Sequence, residues 1–85
     1  MISDHMRCQS RVETLISGRR KQLGISYKET AVATVGSESS FANRMKDPLT
    51  LKLVEVLRIF KYLDFSDGQQ EEFYEAVAEL GKGVI

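Results

Sequence analysis

Residues 26–46, Ser-Tyr-Lys-Glu-Thr-Ala-Val-Ala-Thr-Val-Gly-Ser-Glu-Ser-Ser-Phe-Ala-Asn-Arg-Met-Lys, read as two short helices joined by a tight turn. Ser26 with Glu29 three residues later is a capping box. Such a serine satisfies an amide left unpaired in a helix's first turn, so a helix starts near Tyr27. Ala31, Val32 and Val35 are its apolar positions. Gly36 stops it, because glycine takes the left-handed geometry that commonly follows a helix end. Ser37 caps a second helix, with Phe41 and Met45 turned inward and Glu38, Ser39, Ser40, Asn43, Arg44 and Lys46 polar. A short helix with a thin apolar edge and a small, hydrogen-bonding outer face fits a DNA major groove. The same pattern also describes an ordinary helical hairpin that binds nothing.

Outward from this pair, no segment alternates as a β-strand and no repeat appears. A first helix is expected from about Ser10 to Leu23, with Val12, Leu15, Ile16 and Leu23 apolar, ended by Gly24. Asp47-Pro48 closes the third helix, since the residue before proline disfavours helical geometry. A fourth helix is expected from about Leu51 to Leu63. Leu53, Val56, Leu57, Phe60 and Leu63 form its core face, and Val54, Ile59 and Tyr62 are surplus apolar surface. Phe41, Leu53, Leu57 and Phe60 are expected to be buried together. Ser66 and Gln69 make another capping box, opening a fifth helix to about Leu80. Its apolar stripe is Phe73, Val77 and Leu80, opposed by Glu71, Glu72, Glu75 and Glu79. The fold expected is all-α, a compact five-helix bundle.

Eighty-five residues, 42% hydrophobic and 28% charged, make one small globular domain rather than a disordered chain. The single cysteine, Cys8, excludes a disulfide framework and a cysteine zinc site and points to a reducing cytoplasm. No apolar run is long enough for a membrane helix or a signal-peptide core. His5-Met6 is a common cloning remnant, so residues 1–8 are expected to be a disordered tail or tag remnant, with the native start at Met6. The net charge of zero hides an asymmetry. Residues 1–61 hold eleven Lys or Arg against six Asp or Glu, while residues 62–85 hold one Lys against six acids. A basic portion and an acidic end can therefore meet different partners.

Residues from about Val12 to Leu63 resemble the Cro/repressor (Xre-like) helix-turn-helix family. The resemblance lies in Arg19 to Ser26, in Glu29 and Ala31, in Ser37 to Phe41, in Arg44 to Pro48, and in the apolar helix that follows. The small size and the Lys46-Asp47-Pro48 ending are similar to phage or prophage regulators. The resemblance implies a lambda-repressor-like bundle, with residues 9–65 as the DNA-binding domain. Residues 66–85 are then an acidic C-terminal helix that packs on the domain or dimerises. It also implies that Glu38, Ser39, Ser40 and Asn43 read bases. Arg20, Tyr27, Lys28, Ser37, Arg44 and Lys46 become the phosphate contacts. In the family a first-helix arginine, here Arg20, often pairs with a glutamate at the end of the third helix. Met45 stands at that place, so Arg20 is expected to be free for phosphate. The family's turn glycine falls at Val35, with Gly36 one residue late.

The function expected is a cytoplasmic, sequence-specific transcriptional regulator that binds double-stranded DNA as a homodimer. Val54, Ile59, Tyr62, Phe73, Val77 and Leu80 are its expected dimer interface. No cofactor or metal is expected, and no enzyme, because the chain has no Cys/His pair, no phosphate-binding glycine loop and no metal cluster. The alternative is a protein-interaction module on the same fold, such as an anti-CRISPR protein, an antitoxin or an antirepressor, with a protein partner at the acidic fifth helix.

Overall fold

The computed structural model describes the backbone of residues 4–82 and the side chains from Arg11 onward. Five helices follow one another: α1 (Asp4–Leu23), α2 (Tyr27–Thr34), α3 (Glu38–Lys46), α4 (Leu53–Tyr62) and α5 (Asp67–Lys82). A single 3-10 turn, Pro48–Thr50, links α3 to α4, and there is no strand among the described residues. The all-helical bundle is as expected. Helix α1 begins six residues earlier than expected, so residues 4–8, expected to be a tail, have helical backbone. Residues 1–3 and 83–85 lie outside the described residues, and α5 runs two residues past the expected Leu80, to Lys82.

The helix ends follow from local chemistry. Ser26 Oγ accepts the Glu29 amide at 3.1 Å, and Ser37 Oγ accepts the Ser40 amide at 3.1 Å. Ser66 and Gln69 bond reciprocally, each side chain accepting the other's amide. After α1 the Gly24 and Ile25 amides reach back to the carbonyls of Lys21 and Arg20, a closure that needs a left-handed residue. Gly24 supplies it at φ +69, and Gly36 does so at φ +116 between α2 and α3. The same closure ends α4 without glycine: Asp64 stands at φ +50, and the Phe65 amide bonds the Phe60 carbonyl at 2.9 Å. Arg19 reaches across from α1 to the carbonyls of Leu63 (2.8 Å) and Asp64 (3.1 Å). A cation at a helix C-terminus is favourable because it meets the unpaired carbonyls and the negative end of the helix dipole.

α1 packs chiefly on α5, and α2 packs on both α3 and α4. The core joins Val12 and Ile16 of α1, Phe41 and Met45 of α3, Val56, Ile59 and Phe60 of α4, and Phe73 and Ala76 of α5. Phe60 is its hub, with ring centroids 5.2 Å from Phe73, 5.3 Å from Phe65 and 5.4 Å from Tyr74. Offset and edge-on aromatic pairs of this kind add to what simple burial gives.

Four expectations about the core are corrected. Leu53 and Leu57 are exposed (68% and 51%), whereas Ile59 is fully buried. α4 is therefore rotated so that Val56, Ile59, Phe60 and Leu63 face inward. Val32 of α2 is exposed too; the buried side of that helix is Thr30, Ala31 and Thr34. The two threonines tolerate burial because each hydroxyl donates to the carbonyl four residues back, Thr30 to Ser26 and Thr34 to Thr30. Phe65, in the α4–α5 loop, belongs to the core without belonging to any helical stripe.

The two sides of α4 make opposite predictions for the same kind of truncation. Ile59→Ala should lower stability by about 2–5 kcal/mol, through lost burial and the cavity left behind. Leu57→Ala should change it by only about 0.5 kcal/mol, as at an exposed site. Urea unfolding of both variants measures this, and equal losses would contradict the orientation of α4.

Candidate nucleic-acid interface

Two short helices and the turn between them build the site. α2 ends at Thr34, Val35 continues in right-handed geometry, Gly36 reverses the chain, and Ser37 starts α3. α3 has nine residues. A helix that short is marginal in water by itself, so its position depends on packing. Phe41 and Met45 anchor one side of it in the core. The outward side presents Glu38, Ser39 and Asn43, all exposed, with Ser40 half-buried at the edge. The family resemblance implies base reading for these four, and the fold brings them together on one helix.

Tyr27 stands beside α3. Its ring meets Phe41 edge-on at 5.2 Å and 86°, which fixes it at the start of α2 while 41% of the residue stays exposed. Lys28 and Lys46 are exposed, and Ser37 is held as the α3 cap. Tyr27, Lys28 and Lys46 thus flank the polar face of α3 from the start of α2 and the end of α3.

Two of the expected phosphate contacts differ. Arg44 does not point freely outward. Its Nε donates to Glu55 Oε1 at 3.2 Å, and only 25% of its side chain is exposed. Arg20 is half-buried, and its Nη1 donates to the Ile25 carbonyl at 3.0 Å. It is a tethered donor rather than the free arm expected from the missing pair with Met45. Both differences have one reason: a guanidinium lying against the bundle is more stable bonded to an adjacent acceptor than left without one.

Glu55 is a positioning residue behind the candidate interface that the sequence reading missed. It is buried beneath the junction of α3 and α4, and its Oε1 accepts both Arg44 and the Lys52 amide, the latter at 2.8 Å. Burial alone would raise its pKa. The Lys52 amide and the Arg44 guanidinium outweigh burial and hold the carboxyl below its usual range. The signal available was a glutamate in the third helical position, had α4 been started at Leu53.

The expected dimer residues separate into two groups. Ile59, Phe73 and Leu80 are fully buried within the protomer, and Val77 is half-buried against the same core. They cannot form an exposed interface, because α5 uses its apolar stripe to cover α1. Val54 (48%) and Tyr62 (36%) are exposed as expected. Leu53, Val54 and Leu57 together make an aliphatic strip on the outer side of α4.

Between α1 and α3 lies an open cleft of about 320 Å³, lined by Ile16, Arg20, Tyr27, Phe41, Met45 and Lys46 among others. Among the described residues no group of His, Cys, Asp and Glu could hold a metal ion, and no helix is long and apolar enough to cross a membrane. Comparison of the chain with known protein families, characterised proteins and solved structures returns no match.

The Glu55 cluster carries a pH dependence whose sign is fixed. A carboxyl with a depressed folded-state pKa stabilises the fold above its unfolded pKa, and that contribution disappears as pH falls through the folded value. Stability should therefore decline as pH is lowered below about 4.5, the ordinary glutamate value. Glu55→Gln should flatten that decline, and Glu55→Ala should cost about 1.5–3 kcal/mol at neutral pH by orphaning Arg44 and the Lys52 amide. Urea midpoints between pH 3 and about 7 would show it. An unchanged acid limb in Glu55→Gln would mean that other carboxylates carry the effect.

Proposed function

We propose that the chain is a sequence-specific DNA-binding regulator of the Cro/repressor type, with α3 as the recognition helix. The observation that carries this reading is the α2–turn–α3 unit. Its second helix is capped and anchored by Phe41 and Met45, and it leaves Glu38, Ser39 and Asn43 outward on one short helix. Asn43 can pair with adenine through both ends of its amide. Glu38 can accept from the cytosine amino group, and Ser39 is neutral to base identity. Tyr27, Lys28 and Lys46, with the tethered Arg20, would lie along the phosphates and set the register. The basic excess of residues 1–61 supports steering toward DNA, while the acids of α5 would be repelled from it.

Reading by two copies follows from the limited reach of one recognition helix. Half-sites of such dimers lie about one DNA turn, roughly 34 Å, apart. The protomer measures 33 × 27 × 26 Å, so two side by side match that spacing. The interface we assign is the exposed strip of Leu53, Val54 and Leu57. An aliphatic strip is complementary to itself, as a two-fold contact requires. Leu57→Glu should then leave the fold intact, produce monomers in sedimentation equilibrium and weaken DNA binding.

A second reading has its own observation. α5 exposes Glu71, Glu72, Glu75 and Glu79, a broad acidic face suited to a basic protein partner. On that reading the chain is an interaction module, and α3 does not touch DNA.

A titration against random duplex DNA, followed by selection of a preferred site, separates the two. Asn43→Ala should cost about 1–3 kcal/mol on the selected site and leave binding to random DNA nearly unchanged. Lys28→Ala should weaken binding to both and lower the salt slope by about one. No binding at low salt would remove the DNA reading and leave the acidic face as the functional surface.

A further inference from the structure

We propose that the groove between α2 and α4 receives α5 of a second copy of this chain. Tyr74 enters the groove, Glu71 meets its two cations, and copies join head to tail. The contact rests neither on DNA binding nor on the two-fold strip of Leu53, Val54 and Leu57.

The groove is a shallow, open space of about 390 Å³, lined by Ala33 of α2 and by Arg58, Lys61 and Tyr62 of α4. All four of these residues are exposed, so the lining is accessible to a partner. It holds two cations and no acid. Among the described residues neither Arg58 nor Lys61 has a hydrogen bond or an ion pair through its side chain. Glu29, one turn before Ala33 on α2, lies outside the lining and pairs with neither.

α5 carries the complement. Tyr74 is 48% exposed, yet its ring is held edge-on against Phe60 at 5.4 Å. A tyrosine fixed in this way brings apolar area at little loss of side-chain freedom, which suits it to anchor an interface. Glu71 lies three residues earlier on the same side of the helix, exposed and without an ion pair among the described residues. A ring with a carboxylate one turn away thus matches a groove with an aromatic wall and two cations. Those cations can also lie over the face of the Tyr74 ring. An exposed ion pair contributes little by itself. Tyr74 therefore supplies the adhesion, and the charges supply orientation and salt dependence.

The geometry excludes the chain's own α5 as the occupant. Tyr62 and Phe60 are two residues apart on α4, so their side chains point to flanks about 200° apart around it. The groove lies on the Tyr62 flank, and Tyr74 packs on the Phe60 flank. A second copy is needed. Because the two halves of the contact are different surfaces, each joined pair keeps one groove and one Tyr74 open, and the association propagates. The acidic side of α5 then has a partner within the protein itself.

Sedimentation velocity of the full chain, without DNA, tests this. At roughly 0.01 M salt, where charges act over about 30 Å, the weight-average sedimentation coefficient should rise with protein concentration; at roughly 1 M salt, where they act over about 3 Å, the rise should disappear. A dimer held by the aliphatic strip shifts the baseline at both salts, so its presence or absence is read separately from the salt-dependent rise. The double change Arg58→Glu, Lys61→Glu and the single change Glu71→Arg should each weaken the salt-dependent association by at least about tenfold, with the helical circular dichroism of the parent retained. An equimolar mixture of the two variants should recover it, since the reversed groove of one fits the reversed helix of the other. No rise at low salt in the parent chain would overturn the contact, even if a variant fails to fold. A rise that survives either reversal, or a mixture no better than its components, would overturn the pairing of this groove with α5.

Discussion

A buried carboxylate must find donors, and in this protein that requirement organises the junction on which the outward face of α3 rests. Glu55 is 5% exposed and accepts from the Lys52 amide and the Arg44 guanidinium. An unpaired charge there would be costly. Turning Glu55 inward fixes the rotation of α4. One turn later Ile59 is inward, then Leu63, with Val56 and Phe60 beside them; two residues to either side, Leu53 and Leu57 turn outward. The same carboxylate grips the end of α3 through Arg44. One interaction thus fixes the start of α4, chooses its buried face and ties α3 to it.

The consequences reach the candidate interface. α3 is too short to keep its place by helical hydrogen bonding alone. Phe41 and Met45 hold it from the core, Tyr27 supports it from α2, and Arg44 secures its end. What remains outward is the polar set of Glu38, Ser39 and Asn43 on a rigid element, which is the condition for precise hydrogen bonding to a partner. α5 contributes by covering α1 with Phe73, Ala76 and Leu80, which leaves its glutamates as a solvated acidic surface.

Local chemistry was legible in the sequence, and the choice between competing faces was not. Caps at Ser26, Ser37 and Ser66 and glycines at 24 and 36 act within a few residues, so they could be read directly. α4 is different because it carries apolar residues around most of its circumference. Leu53, Leu57 and Phe60 obey helical spacing as well as Val56, Ile59, Phe60 and Leu63 do. Hydrophobicity could not choose between them; a charged residue, Glu55, did, through a partner eleven positions away. Phe65 was hidden because it lies in a loop with no periodicity, and Thr30 and Thr34 because their burial depends on bonds to backbone carbonyls. At the candidate interface the outward residues of α3 were legible, since they are simply those left outward by Phe41 and Met45. The roles of Arg20 and Arg44 were not, because each depends on an acceptor brought near by folding.

Mapping amide chemical shifts on the labelled protein as a selected DNA duplex is added tests the central claim most directly. The expected result is perturbation concentrated at the start and outward side of α3, from Glu38 to Asn43, and at Tyr27 and Lys28, with α5 unaffected. Perturbation centred on the glutamates of α5, or a spectrum unchanged by DNA at low salt, would contradict it.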